Sequence, residues 1–259
     1  MMGSQFHESE RALALPSSTP DSPPKPVTRE RRAMAFGIHL FTASGALWGF
    51  LALIAIVRGN VQEMWLWLAV ALFVDGVDGT MARRIDIETA MPRYSGVYLD
   101  LVVDFLTYVL VPTYALASSD LLGSGWNIAA AAIILVTSAM YFATNDMKTD
   151  DAWFRGFPAV WNVVVFYLFL YQPHPIVTFC AVVVLGGLTF APVVFVHPFR
   201  VTTLRLLTIA LLVVWSVAAV YAIYENMAPP VWVIWVLSLI AVYFLGLGAV
   251  RGSLIDKKA

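Results

Sequence analysis

The chain has 259 residues, of which 60% are hydrophobic and only 13% charged, and its mean hydropathy is +0.77. That balance excludes a soluble globular domain and predicts an integral membrane protein. A net charge of -1 leaves no broad basic surface for nucleic acid, and the single cysteine, Cys180 in an apolar run, excludes a disulfide framework and reads as a packing residue.

Residues 1–27 are rich in Pro, Ser and Thr and have no apolar period, which predicts a disordered N-terminal tail ahead of a transmembrane domain over residues 28–259. The apolar run Ala12 to Leu15 is too short for a signal peptide. Arg29, Arg31 and Arg32 directly precede the first long apolar run and predict a cytoplasmic anchor for it.

Crossing the hydrocarbon core takes about 20 apolar residues. Eight stretches meet or approach that length, at about 34–57, 61–82, 94–118, 126–145, 157–172, 174–196, 203–224 and 229–250. The fold expected is therefore an all-α integral membrane protein, a bundle of about eight transmembrane helices. The fifth stretch is short, and Gln172-Pro173-His174-Pro175 makes a tight turn into the sixth. Placing the N-terminus in the cytoplasm puts Arg83, Arg84, Arg93, Lys148, Arg155, Arg200, Arg205, Arg251, Lys257 and Lys258 inside with the tail charges. Only Arg58 of the sixteen Lys and Arg then falls outside, so both termini are expected to be cytoplasmic.

Within this apolar chain stand four carboxylates, Asp75, Asp78, Asp100 and Asp104. An ionisable group costs a few kcal/mol or more at the bilayer centre and by default signals function. The spacings i, i+3 and i, i+4 put each pair on one face of its helix. Asp100 and Asp104 lie about 9 and 15 Å along the third stretch from Tyr94, and Asp75 and Asp78 lie a similar distance up the second. All four are thus expected to meet at one depth, in a site open to the cytoplasm and the inner leaflet.

An all-oxygen set of this kind suits Mg²⁺ or Mn²⁺ rather than Zn²⁺. Hard cations beside arginine in turn suggest a phosphate substrate. Gly76, Gly79 and Gly96 each weaken a helix by roughly 1 kcal/mol and leave room for a backbone or a bulky ligand. Arg83, one turn past Gly79, can reach a phosphate or pyrophosphate oxygen. Two other readings stand beside this one. Aspartates could pair with arginines between helices, although four acids face at most three nearby arginines; or they could form the ion site of a cation-coupled transporter. Neither inverted repeats nor paired broken helices accompany them.

The segment Asp75-Gly-Val-Asp78-Gly79-Thr-Met-Ala82-Arg83, a twelve-residue gap (Arg84 to Ser95), and Gly96-Val-Tyr-Leu-Asp100-Leu-Val-Val-Asp104 resembles the signature of the CDP-alcohol phosphotransferase family at every defining position. The gap is longer than is usual there and resembles the bacterial branch whose acceptor is choline. So do Gly37-Ile-His39-Leu-Phe-Thr-Ala-Ser-Gly45, Phe154-Arg155-Gly156-Phe157-Pro158-Ala159-Val-Trp161-Asn162 and Val196-His197-Pro198-Phe199-Arg200-Val201. The resemblance covers roughly residues 34–250.

It implies transfer of the phosphatidyl group of CDP-diacylglycerol to choline, with serine or another alcohol as alternative acceptors, and release of CMP. Asp75, Asp78, Asp100 and Asp104 would hold Mn²⁺ or Mg²⁺, two ions in all, with Asp104 also the general base. Gly79, Ala82, Arg83 and Gly96 would bind the donor. It further implies a multi-pass protein of the bacterial inner membrane, its active site facing the cytoplasm, and a homodimer. A quaternary ammonium favours aromatic faces, for which Tyr98, Tyr108 and Trp161 are the candidates. Arg155 and Arg200 could meet lipid phosphates, or could be plain cytoplasmic anchors.

Overall fold

The computed structural model describes residues 28–123, 125–145, 147, 149, 153–195 and 204–249; the expected tail and Arg200 lie outside the described residues. Helix occupies every one of the apolar stretches. The order is α1 (Arg29–Val57), α2 (Val61–Ile85), a one-turn α3 (Ile87–Ala90), α4 (Gly96–Asp104), a π-helical segment (Phe105–Leu110), α5 (Val111–Ala117), α6 (Asn127–Phe142), α7 (Trp161–Tyr171), α8 (Pro175–Leu188), α9 (Arg205–Tyr224) and α10 (Val231–Ala249).

Caps set these boundaries. Thr28 Oγ1 accepts from Arg31 N at 3.2 Å and starts α1. Asn60 accepts from Glu63 N at 3.1 Å while its own amide donates to the Glu63 carboxylate at 2.9 Å, which closes the start of α2 reciprocally. Ser95 caps α4, so the third helix begins at Gly96 rather than Tyr94.

Among the described residues, α1, α2, the continuous Gly96–Ala117 unit and α9 are long and apolar enough to cross a membrane, which makes this a membrane protein. The helices α6, α7, α8 and the Val231–Leu247 part of α10 are apolar but shorter. Two departures from an all-helical chain explain part of the shortening. Phe154–Arg155 (β1) pairs antiparallel with Val194–Phe195 (β2), and the turn after β1 docks on the end of α8. There Gly156 N donates to Val193 O at 2.8 Å and Phe157 N to Leu188 O at 3.0 Å. Gly156 has φ +70°, and a Cβ on it would lie 2.1 Å from Thr189 O, so only glycine fits. The sixth stretch therefore leaves helix at Leu188, and the fifth enters it only at Trp161. Cys180 is exposed on α8 rather than packed.

Close approach of α1 to the third span fixes the depth of the latter. A Cβ on Gly45 would meet Val103 Cγ1 at 2.4 Å, and one on Gly49 would meet Leu106 Cδ2 at 2.8 Å. This is the small-xxx-small contact by which membrane helices bring their backbones together. Further along the same span, Pro112 has no N–H, and its ring crowds the carbonyl four residues back, that of Tyr108. The helix widens just ahead of it, with Val111 N donating to Leu106 O five residues back.

The gap between the aspartate pairs is not a plain loop. Ile87 and Ala90 of α3 are buried against Ala35 and Ile38 of α1. Arg31 clamps the junction, donating through Nε to Ile85 O at 3.1 Å and through Nη2 to Asp86 Oδ2 at 3.0 Å. Asp86 takes the left-handed conformation at φ 52° and ends α2. A hydrogen bond from the Thr89 hydroxyl, then the Arg31 guanidinium, hold its carboxyl below the ordinary value.

Candidate active site

Asp75 and Asp78 near the end of α2 and Asp100 on α4 converge. Each offers a carboxylate oxygen, and the three oxygens lie within 4.8 Å of one another. Asp78 is 5% exposed; the other two are half-buried. Three hard oxygen donors at this separation fit a divalent cation such as Mg²⁺, and no His or Cys joins them among the described residues. Thr42 on α1 and Arg83 both interact with Asp78.

The fourth carboxylate occupies a different position. Asp104 stands outside the set of mutually close oxygens, one turn beyond Asp100. Tyr108, on the next turn, interacts with Asp104, Asp75 and Asp100, and its hydroxyl donates to Asp75 Oδ2. Three aspartates thus form a cluster, and Asp104 borders it.

Beside the cluster an open face runs along α2. An added Cβ on Gly76 would meet nothing within 4 Å, and one on Gly79 would meet only Arg83 Nη1 at 3.2 Å. Arg83 is exposed and donates to Thr80 Oγ1 at 3.2 Å. Positions 76, 79 and 83 follow helical spacing, so glycine space and guanidinium share one face. Ala82 and Gly96 differ from this. Ala82 packs on the Ile87–Ala90 turn, and a Cβ on Gly96 would lie 3.0 Å from Ile87 Cδ1 and 3.6 Å from His39 Cε1. Their small size seats α3 and α1.

The aromatic candidates separate too. Tyr98 is 73% exposed, two residues and therefore about 200° around α4 from Asp100. Trp161 is fully buried, its Nε1 donating to Ser138 Oγ at 2.9 Å and its ring edge-on to Phe157 at 5.1 Å, so it presents no open face. Tyr108 alone of the three stays among the carboxylates. Arg155 is exposed on β1 and lines a 290 Å³ cleft with Tyr141, Thr144 and Thr189. Thr42 was missed in the sequence as a site residue. Its signal is the register His39, Thr42, Gly45 and Gly49, one face of α1 turned to the aspartate helices. His39 on that face is 5% exposed, packs 5.9 Å from the Tyr94 ring, and has no hydrogen-bond partner among the described residues.

Comparison with known proteins places the chain in a family. The phosphatidylcholine synthase of Brucella melitensis is 42% identical over 219 residues, 85% of this chain and 79% of that protein. The phosphatidylcholine synthase of Rhizobium meliloti is 43% identical over 200 residues, 77% of this chain and 83% of its own length. That of Mesorhizobium japonicum is 45% identical over 192 residues, covering 74% and 72% respectively. The profile of the CDP-alcohol phosphatidyltransferases matches residues 39–196, which include all four aspartates, and the chain belongs to that family.

Proposed function

We propose that the chain is a phosphatidylcholine synthase that transfers the phosphatidyl group of CDP-diacylglycerol to choline and releases CMP. The observation that carries this reading is the convergence of Asp75, Asp78 and Asp100 beside the open Gly76–Gly79–Arg83 face. The name shared by the curated relatives supports choline as the acceptor.

In this reading the three aspartates, with Asp104 at their margin, hold two Mn²⁺ or Mg²⁺ ions. Bound cations would neutralise the pyrophosphate and polarise the phosphorus attached to diacylglycerol. Arg83 holds the donor phosphates with its planar fork, and the space beside Gly76 and Gly79 admits cytidine and ribose. Asp104 takes the proton from the choline hydroxyl as its oxygen bonds to phosphorus. The bond from that phosphorus to the bridging pyrophosphate oxygen breaks, and CMP carries the electron pair away.

We place both termini and the site on the cytoplasmic face of a bacterial inner membrane, with eight spans, a single domain from residue 28 onward and a homodimeric assembly. The distribution of Lys and Arg supports the orientation. Arg155 and Arg200 would lie at lipid headgroup level.

Purified protein incubated with CDP-diacylglycerol, Mn²⁺ and labelled choline or labelled serine tests the assignment. Labelled phosphatidylcholine with stoichiometric CMP is expected. Preference for serine would replace the acceptor, and absence of CMP release with every alcohol would remove the reading.

A further inference from the structure

The π-helical segment Phe105–Leu110 follows directly after Asp104 and carries Tyr108 in its middle. An α-helix turns residues at i, i+4 and i+8 by about 40° per step, so Asp100, Asp104 and Tyr108 would drift apart around a regular helix. A wider turn slows that drift. Tyr108 accordingly hydrogen-bonds Asp75 and lies within electrostatic range of Asp100 and Asp104. Pro112, four residues beyond Tyr108, supplies the local cause, because a regular helix could not satisfy the Tyr108 carbonyl there.

Tyr108 is only 9% exposed, and its hydroxyl donates to Asp75 Oδ2. A carboxylate that accepts a directed hydrogen bond on one oxygen is restricted in the rotamers it can adopt.

We propose that Tyr108 is a positioning residue for the cation site: its hydroxyl fixes the carboxylate of Asp75 toward Asp78 and Asp100, and the π segment with Pro112 is the device that brings it there. The proposal rests on the reading of the aspartate cluster as a metal site. It assigns the hydroxyl a role distinct from any contact of the ring with the acceptor.

Partners of this kind typically change metal affinity by about tenfold to a hundredfold. Tyr108→Phe should therefore weaken Mn²⁺ binding to the purified protein, read by electron paramagnetic resonance, by about tenfold or more. Activity should be largely regained at saturating Mn²⁺. In an Asp75→Asn background the same substitution should produce no further loss. Unchanged Mn²⁺ affinity in Tyr108→Phe overturns the proposal while leaving the metal reading intact. Failure of the unmodified protein to bind Mn²⁺ removes the metal reading itself. If Tyr108→Phe fails to fold, 3-fluorotyrosine placed at position 108 keeps the packing. Its ¹⁹F resonance should move on Mg²⁺ titration with the midpoint of activity, and a resonance unmoved at saturating Mg²⁺ overturns the proposal.

Discussion

Gly45 of α1 and Val103 of α4 are in such close contact that a Cβ on the glycine would fall 2.4 Å from Val103 Cγ1. The adjacent residue on the third span is Asp104, so the position of this backbone contact sets the position of the carboxylates. Gly45→Val should cost about 1–3 kcal/mol through overpacking and displace α4. Thermal unfolding in detergent should show the loss, and activity should fall even at temperatures where the variant stays folded.

Gly76 makes the opposite case. With no atom within 4 Å of an added Cβ, Gly76 lies on an open face, and Gly76→Leu should gain up to about 1 kcal/mol of helix stability. The side chain would then occupy the face assigned to the donor. KM for CDP-diacylglycerol should rise by roughly tenfold with Mn²⁺ affinity unchanged. An unchanged KM would place the donor elsewhere.

Asp104 borders the carboxylate cluster without joining it, which separates its role from those of its neighbours. Asp104→Asn should reduce kcat by about 10²–10⁴ with Mn²⁺ affinity largely kept, as expected for a base. Asp78→Asn or Asp100→Asn should lose metal binding and rate together. Parallel loss of affinity and rate in Asp104→Asn would make it a ligand instead.

Asp86 gives a pH signature outside the membrane. Its folded pKa is lowered below 3.8, first by Thr89 and then by Arg31, so its stabilising effect is present above the unfolded value and is lost as pH falls through the folded one. The difference in thermal stability between the native chain and Asp86→Asn should be constant from pH 7 to about pH 5 and vanish only well below pH 4. A difference that disappears near pH 6 would point to another group.

Gly156 tests the β1–β2 corner. Gly156→Ala combines a positive φ with a 2.1 Å approach to Thr189 O, and should destabilise by about 1–3 kcal/mol or block folding. Expression level and unfolding temperature read this directly.

Helix location was legible in the sequence because apolar runs are long and unambiguous in lipid. Asp75, Asp78 and Asp100 were legible because helical spacing alone puts each pair on one face. Other features depend on contacts that no spacing reveals. Ala82 and Gly96 looked like space for a donor, and their contacts also seat α3, whose docking depends on Arg31 at the start of α1. Trp161 looked available for a cation, and the tertiary packing of Phe157 and Ser138 closes it. The π segment did have a signal, Pro112 inside an apolar run, but its consequence for Tyr108 appears only once Asp75 is seen across the interface.

The short α8 has a consequence for the lipid around it. Its 14 residues rise about 21 Å, against a hydrocarbon layer of about 30 Å that α1, with 29 residues, fills with ease. α7 is shorter still at 11 residues, yet Trp161, Val165, Phe166, Leu168 and Leu170 are buried in protein, so the bilayer does not have to match it. α8 instead exposes Ile176, Val177, Val183 and Val184, and in an eight-span arrangement lipid along that side would face a low wall. Acyl chains there would shorten or tilt to fit. Sensitivity to membrane thickness would then belong to this flank of the protein.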